Sequence, residues 1–248
     1  MQLVKPGWVA PGGLLARKVD AFTTARTGGV SADAYASLNL GDHVGDDGHC
    51  VARNRELLRA GADIGQPLLW LQQVHGTKVI HADDWTEGVE ADAIVSDTPG
   101  QPLVIMTADC LPILLASRRG DEVAAVHAGW RGLADGLVAN TVAAMKTAAS
   151  DVVAWIGPSI SQLHYEVDET VRDAFVAKDH RATNCFLPNE RGRWFADLKT
   201  LAVISLRLAG VRRVTDANLC SYQLADRFFS HRREAPCGRM ASVIQISR

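Results

Sequence analysis

Two short apolar runs within residues 106–132, MTADCLPILLASRRGDEVAAVHAGWRG, each border a polar cluster. Thr107, Asp109 and Cys110 sit beside the first run, and His127, Trp130 and Arg131 follow the second. Runs of this length, rich in Val, Ile and Leu, read as buried strands. A thiol and an imidazole at strand ends are the parts of a metal site or of a Cys/His nucleophile pair. A third such residue, His75, closes the run PLLWLQQV in the same way. The three lie 35 and 17 positions apart, which matches no local metal signature. What joins them is their common placement at strand ends. Two imidazoles and one thiolate leave a tetrahedral zinc one open position, the arrangement of a catalytic site. Such an ion polarises a substrate oxygen and brings the pKa of a bound water toward about 7. Cys110 as a nucleophile, with His75 or His127 as its base, remains the competing reading.

The segment AGWRG (128–132) stands between a strand and a helix. Small residues there let backbone N–H groups approach an anion, the helix N-terminus adds positive potential, and Arg131 offers a bidentate contact. A tight turn with a surface arginine explains the same residues. Neither GxGxxG nor a Walker A sequence is present, so a dinucleotide or NTP loop is unsupported.

The elements that must position these groups follow from periodicity. Strands are expected at 19–24, 67–74, 77–82, 91–97, 102–108, 112–117, 122–128, 151–157, 211–217 and 241–246. Helices are expected at 51–62, 132–149, 168–177 and 196–208. Short connections such as RRGD (118–121) suggest hairpins, and hence mixed or antiparallel sheet rather than a doubly wound one. The turn-rich segment 26–48 is too long for a passive connection and reads as an ordered loop near the site. Of the arginines on the first helix, Arg53, Arg55 and Arg59, at least two belong to a solvated face.

At 248 residues, 47% hydrophobic and 22% charged, the chain has the composition of a soluble globular protein with ample core. A net charge of −2 gives no basic footprint for nucleic acid. No stretch approaches the roughly 20 apolar residues that span a bilayer. Pro6 and Pro11 interrupt the N-terminal segment, which lacks the apolar core of a signal peptide, so a cytoplasmic protein is expected. Five cysteines, at 50, 110, 185, 220 and 237, form neither a disulfide framework nor a CxxC zinc knuckle.

At these motifs the chain resembles the YfiH-type laccase-domain family. Its members are also described as polyphenol oxidase-like, purine nucleoside phosphorylase-like or peptidoglycan editing factors. The resemblance is carried by TARTGGVS (24–31), SLNLGDHVGDD (37–47), NR (54–55), LQQVHG (71–76), ADAIVSD (91–97), TADCLPILL (107–115) and VHAGWRG (126–132). It continues through IGPSISQLHYEV (156–167) and FFSHRREAPCGRM (228–240), so it spans nearly the whole chain. It implies one α/β domain over 1–248, with layered mixed sheets flanked by helices. That αββα-like layering is similar to the CNF- and YfiH-like cysteine hydrolases.

The resemblance also implies the metal ligands His75, Cys110 and His127; in a zinc enzyme Asp109 or a nearby residue would act as proton carrier. Asn39, His43, Arg55 and Arg131 become candidate contacts to substrate or phosphate. The implied activity is zinc-dependent phosphorolysis of adenosine, inosine, guanosine and methylthioadenosine, with adenosine deamination. Its partners are then a purine nucleoside and phosphate, not nucleic acid or membrane, and the oligomeric state is left open. Two other chemistries stand beside it: copper-dependent phenol oxidation, and a Cys/His amide hydrolase that edits peptidoglycan precursors. Four-copper laccases use paired His-x-His motifs, which are missing among these eight histidines. A purely structural metal would need a fourth ligand, with His43, His81 and His164 as candidates. The chain departs from the family at Ser159, where Cys is usual, and at Ser221, where Thr is usual.

Overall fold

The computed structural model describes residues 1–9 and 12–247; Pro11, one of the N-terminal interruptions, lies outside them. In chain order come β1 (Leu3–Val4), β2 (Val19–Thr24), α1 (Gly48–Gly61), β3 (Val79–His81) and β4 (Ala93–Ser96). Next are β5 (Leu103–Thr107), β6 (Leu111–Ser117) and β7 (Val123–Ala128). Two short helices follow, α2 (Trp130–Ala134) and α3 (Leu137–Ala144). The second half holds β8 (Val152–Ile156), β9 (Glu166–Val167), α4 (Glu169–Val176), β10 (Phe186–Pro188) and β11 (Trp194–Ala196). It ends with α5 (Leu198–Leu208), β12 (Arg213–Asp216), α6 (His231–Glu234) and β13 (Met240–Ile246).

A six-stranded mixed sheet, in the order β12-β8-β6-β7-β4-β3, is parallel only at its two edges. A four-stranded antiparallel sheet, β1-β2-β13-β5, packs on one of its faces. Alternation along the strands assigns every layer. Val123, Ala125, Leu114 and Ala116 meet Leu103, Ile105 and Ile244 between the two sheets. Ala124, Val126, Ile113 and Leu115 turn the other way, onto α2–α5. Phe22, Val104 and Val243 point outward beneath α1, against Leu58. The order is helix, sheet, sheet, helix, as expected. Both sheets are covered on both faces, which is why their strands read as unbroken apolar runs. A separate small antiparallel sheet, β10-β11-β9, carries no such signature and was not anticipated.

Three expectations fail for physical reasons. Residues 67–74 form no regular strand: isolated bridges, Leu69 to Leu103 and Gln72 to Glu90, and the Gln73 side chain, which donates to the Met106 carbonyl and accepts from its N–H, tie this extended segment down. The helix expected over 132–149 is two helices, because Gly136 takes a left-handed conformation with φ of 96° between them. The helix expected from 196 begins at Leu198, since Ala196 belongs to β11 and the Asp197 side chain accepts from the Thr200 N–H as N-cap.

The long 26–48 segment is ordered, as expected, and Asn54 on α1 is the reason. Its fully buried amide donates to Ser31 Oγ and to the carbonyls of Ser37 and Asn39, and its oxygen accepts from the Val30 N–H. One side chain thereby replaces the backbone pairing that the segment lacks.

Candidate metal centre

Register brings the first two candidate ligands together. In the β6–β7 hairpin, Leu111 pairs with Ala128 and Pro112 with His127, so Cys110 lies just before the point where β7 gives way to Gly129. On the other side of β7, Ala93 pairs with Val126, and the His127 N–H donates to the Asp92 carbonyl at 2.8 Å. His127 is therefore flanked by Asp92, just before β4, on one side and by Cys110, just before β6, on the other.

His75 arrives from the irregular segment before β3 and adopts a φ of 60°, a conformation uncommon outside glycine. Asp92 holds it there. Besides accepting from His127 Nδ1 at 2.8 Å, its carboxylate takes the N–H groups of His75 at 3.0 Å, Gly76 at 2.6 Å and Val74 at 3.3 Å. Space for the ring is made by Gly129, where a Cβ would stand 2.6 Å from His75 Cδ2 and 3.4 Å from Cys110 Sγ. At Gly132 a Cβ would meet the Gly76 carbonyl at 2.6 Å. The glycines of AGWRG thus admit the His75 loop, rather than an anion, to the start of α2.

One ligand atom from each of His75, Cys110 and His127 lies within 4.8 Å of the others. His75 Nε2 and Cys110 Sγ are 3.9 Å apart, and the imidazoles meet edge to face at 4.8 Å between centroids. A tetrahedral ion at ordinary Zn–N and Zn–S lengths separates such atoms by about 3.6 Å, so modest side-chain adjustment would suffice. The ionised Asp92 carboxylate can only accept, which puts the His127 proton on Nδ1 and leaves Nε2 free as a ligand. The donor set fits zinc or copper alike. His43, His81 and His164 do not join the group.

Electrostatics agree with a thiolate. Burial alone would push the Cys110 thiol up, yet the charge and hydrogen bond of His127, helped by His75, bring it down to about 6. Burial likewise disfavours charge on His127, but Cys110 and Asp92 together raise it to about 9. Asp92 is driven upward by burial and more strongly downward by its bonds to His127, Gly76 and His75.

The ligands open onto a cleft of about 410 Å³ whose lining includes His43, Tyr165, His231, Arg232 and Arg239. Of the other expected site residues, only His43 and Asp109 reach it. Asn39 is fully buried and spends its amide on Gly41, Asp46 and the Arg239 N–H, as a loop brace. Arg55 donates to the Leu40 carbonyl and pairs with Asp42 at 3.1 Å, so its hydrogen bonds are largely committed. Arg131 is exposed, stacks on Trp130 and does not line the cleft.

Asp109 has a φ of 92°, and its carboxylate accepts from Ser221 Oγ at 2.6 Å, Ser230 Oγ at 3.0 Å and the Arg232 N–H at 2.7 Å. With those three donors it fixes the C-terminal segment against the thiol-bearing turn. Ser221 supplies the same kind of hydroxyl as the more usual threonine. Ser159 is buried with its hydroxyl unpaired.

Asp92, Arg232 and Arg239 were missed from sequence. Asp92 is the second residue of the motif ADAIVSD, directly before a strand, where a fully buried acid needs a partner. That was its available signal. Arg232 and Arg239 lie in FFSHRREAPCGRM, a segment with no periodicity to orient them.

Comparison with known proteins agrees with this architecture. A family model described as multi-copper polyphenol oxidoreductase laccase matches residues 20–247. A Haemophilus influenzae protein named purine nucleoside phosphorylase is 41% identical, covering 98% of this chain and 99% of the relative. The Escherichia coli protein named purine nucleoside phosphorylase YfiH is also 41% identical, with 99% of each chain covered. Among solved structures, a Neisseria meningitidis protein of the DUF152 family superimposes with a TM-score of 0.94 at 42% identity, over 100% of both chains. YlmD from Geobacillus stearothermophilus gives 0.87 at 30% identity, over 95% of this chain and 94% of that one.

Proposed function

The chain belongs to the YfiH-type laccase-domain family, and from that premise we propose a zinc-dependent purine nucleoside phosphorylase. Adenosine, inosine, guanosine and methylthioadenosine are its substrates in this reading, with phosphate as co-substrate and adenosine deamination as a second activity. It works as a single domain over 1–248 in the cytoplasm. No helix among the described residues is long and apolar enough to cross a membrane. The observation that carries the proposal is the convergence of His75, Cys110 and His127 at a cleft with a cationic wall. The names of relatives near 41% identity support the choice of reaction.

In this reading His75, Cys110 and His127 hold the ion. When bound, it would supply Lewis-acid chemistry beside the substrate. Asp92 fixes the tautomer and direction of His127 and the backbone of His75. Arg239 and Arg232, with His43, attract phosphate and hold it beside the nucleoside. His43 is kept neutral, because burial and then the Arg239 charge depress it more than Asp42 raises it; it therefore offers a ring nitrogen as well as an N–H. Tyr165 stays a phenol at neutral pH, since burial and then the Cys110 charge push it well above its ordinary value. It is thus a hydrogen-bond donor toward a sugar or phosphate oxygen. Asp109 acts by positioning, not as the proton carrier: its oxygens already serve three donors.

The test measures metal content and assays adenosine with and without phosphate. Adenine and ribose 1-phosphate are expected, lost in Cys110→Ala and His127→Ala. Adenine release without phosphate, or undiminished in metal-free protein, would refute the proposal; inosine formed by deamination needs no phosphate and is scored separately.

A second reading is favoured by one observation: Asp92, His127 and Cys110 form the acid, base and nucleophile order of a thiol hydrolase. It predicts amide cleavage by metal-free protein. Copper-dependent phenol oxidation is the weaker alternative, since one group of three ligands among the described residues suits a single copper. It predicts turnover that scales with copper loading.

A further inference from the structure

Beyond the metal cleft lies a second chamber of about 440 Å³, and the two share His43, Gln73 and Met106 in their linings. The two volumes therefore adjoin, with these three side chains between them. The nucleoside reading does not use this volume.

Two indoles dominate the chamber. Trp85 donates its Nε1–H to the Trp70 carbonyl at 2.8 Å, so the polar edge of that ring is already satisfied. The Arg55 guanidinium lies over the Trp70 ring at 4.1 Å and is itself fastened to Leu40 and Asp42. Val74, 47% exposed, adds an apolar surface at the chamber wall. These rings are held before any ligand arrives, so little side-chain ordering remains for binding to impose. Aromatic walls of this kind favour a flat apolar group, by burial and by ring–ring contact.

Charge argues against an anion here. The Asp42 and Glu87 carboxylates stand in the wall, and the one guanidinium is occupied by Trp70, Asp42 and the Leu40 carbonyl. We infer that the chamber is a specificity subsite for a neutral aromatic substituent carried by the substrate bound in the metal cleft. This rests on the nucleoside reading for the identity of that substrate.

The experiment uses the full-length, metal-loaded protein and four probes. These are adenosine, 5′-benzylthio-5′-deoxyadenosine, N6-benzyladenosine and adenosine 5′-phosphate. One of the two benzyl compounds, whichever end of the nucleoside faces the chamber, shows a KM at least tenfold below that of adenosine. The 5′-phosphate shows no such gain. Trp85→Ala removes the benzyl advantage and leaves kcat/KM for adenosine within about twofold, while Trp85→Phe keeps most of it. Equal KM values for all probes, tightest binding of the phosphate, or a Trp85→Ala effect equal on adenosine and benzyl compound would each overturn the subsite. The four-probe ranking needs no variant to fold. If no nucleoside is cleaved, the proposed reaction fails separately. Calorimetric dissociation constants for the same probes then judge the subsite alone, upheld by the same ranking and overturned by a flat one.

Discussion

Asp92 receives the Nδ1 proton of His127 at 2.8 Å while the same carboxylate gathers the backbone N–H groups of His75, Gly76 and Val74. One fully buried acid just before β4 thereby positions two of the three candidate ligands, although it touches neither ligand nitrogen.

Asp92→Asn keeps the size of this group and removes its charge, so the His127 tautomer is no longer fixed. Metal affinity falls by about 10- to 100-fold, the range for lost partners of metal-bound histidine. Chelator competition measures it, and an unchanged affinity would show that Asp92 is only structural.

Gly129→Ala tests the space made for His75. Its backbone φ of −68° suits alanine, so the damage comes from the 2.6 Å approach to His75 Cδ2. Zinc affinity drops more than tenfold while the fold survives, which thermal melting and metal titration read separately. Wild-type zinc affinity in this variant would mean that the ring has somewhere else to go.

In metal-free protein, Cys110 alkylation by iodoacetamide follows the thiolate. Because the thiol is brought down to about 6 by His127 despite burial, labelling is near its plateau at neutral pH and falls as the pH drops through that value. His127→Ala removes the stabilising charge, and the midpoint moves upward toward the ordinary thiol value. Zinc protects the residue throughout. A wild-type midpoint near 9 would contradict the ion-pair description.

Arg239→Ala raises KM for phosphate about tenfold or more, with a smaller effect on KM for the nucleoside, as expected when one charge-assisted contact is lost. Arg131→Ala, outside the cleft, changes it less than threefold. The reverse ranking would place the anion at α2.

Asp109→Ala leaves Ser221, Ser230 and the Arg232 N–H without their acceptor. Unfolding free energy decreases by roughly 2–4 kcal/mol, the scale for buried hydrogen bonds to a charged group. Denaturant unfolding at neutral pH reads this, and a change below about 1 kcal/mol would remove Asp109 from its bracing role.

Much of this protein is written locally. The β6–β7 hairpin, the double-faced burial of its strands and the candidate ligands His75, Cys110 and His127 follow from apolar runs that end at residues able to bind metal. Periodicity reports burial, and burial is a property of neighbouring positions in the chain. The family resemblance extended this reading to the layered fold.

Tertiary structure alone decided which polar groups face one another. Asn39, Arg55 and Asp109 sit in motif segments as convincing as those of the ligands, yet each spends its hydrogen bonds bracing the fold. Arg239 and Arg232, silent in the sequence, line the cleft, each bonding backbone carbonyls through one guanidinium nitrogen. A polar side chain's task depends on whether a partner from a distant part of the chain already satisfies it. Ser230 and Arg232 reach Asp109 across more than a hundred residues, and no spacing rule can carry that information.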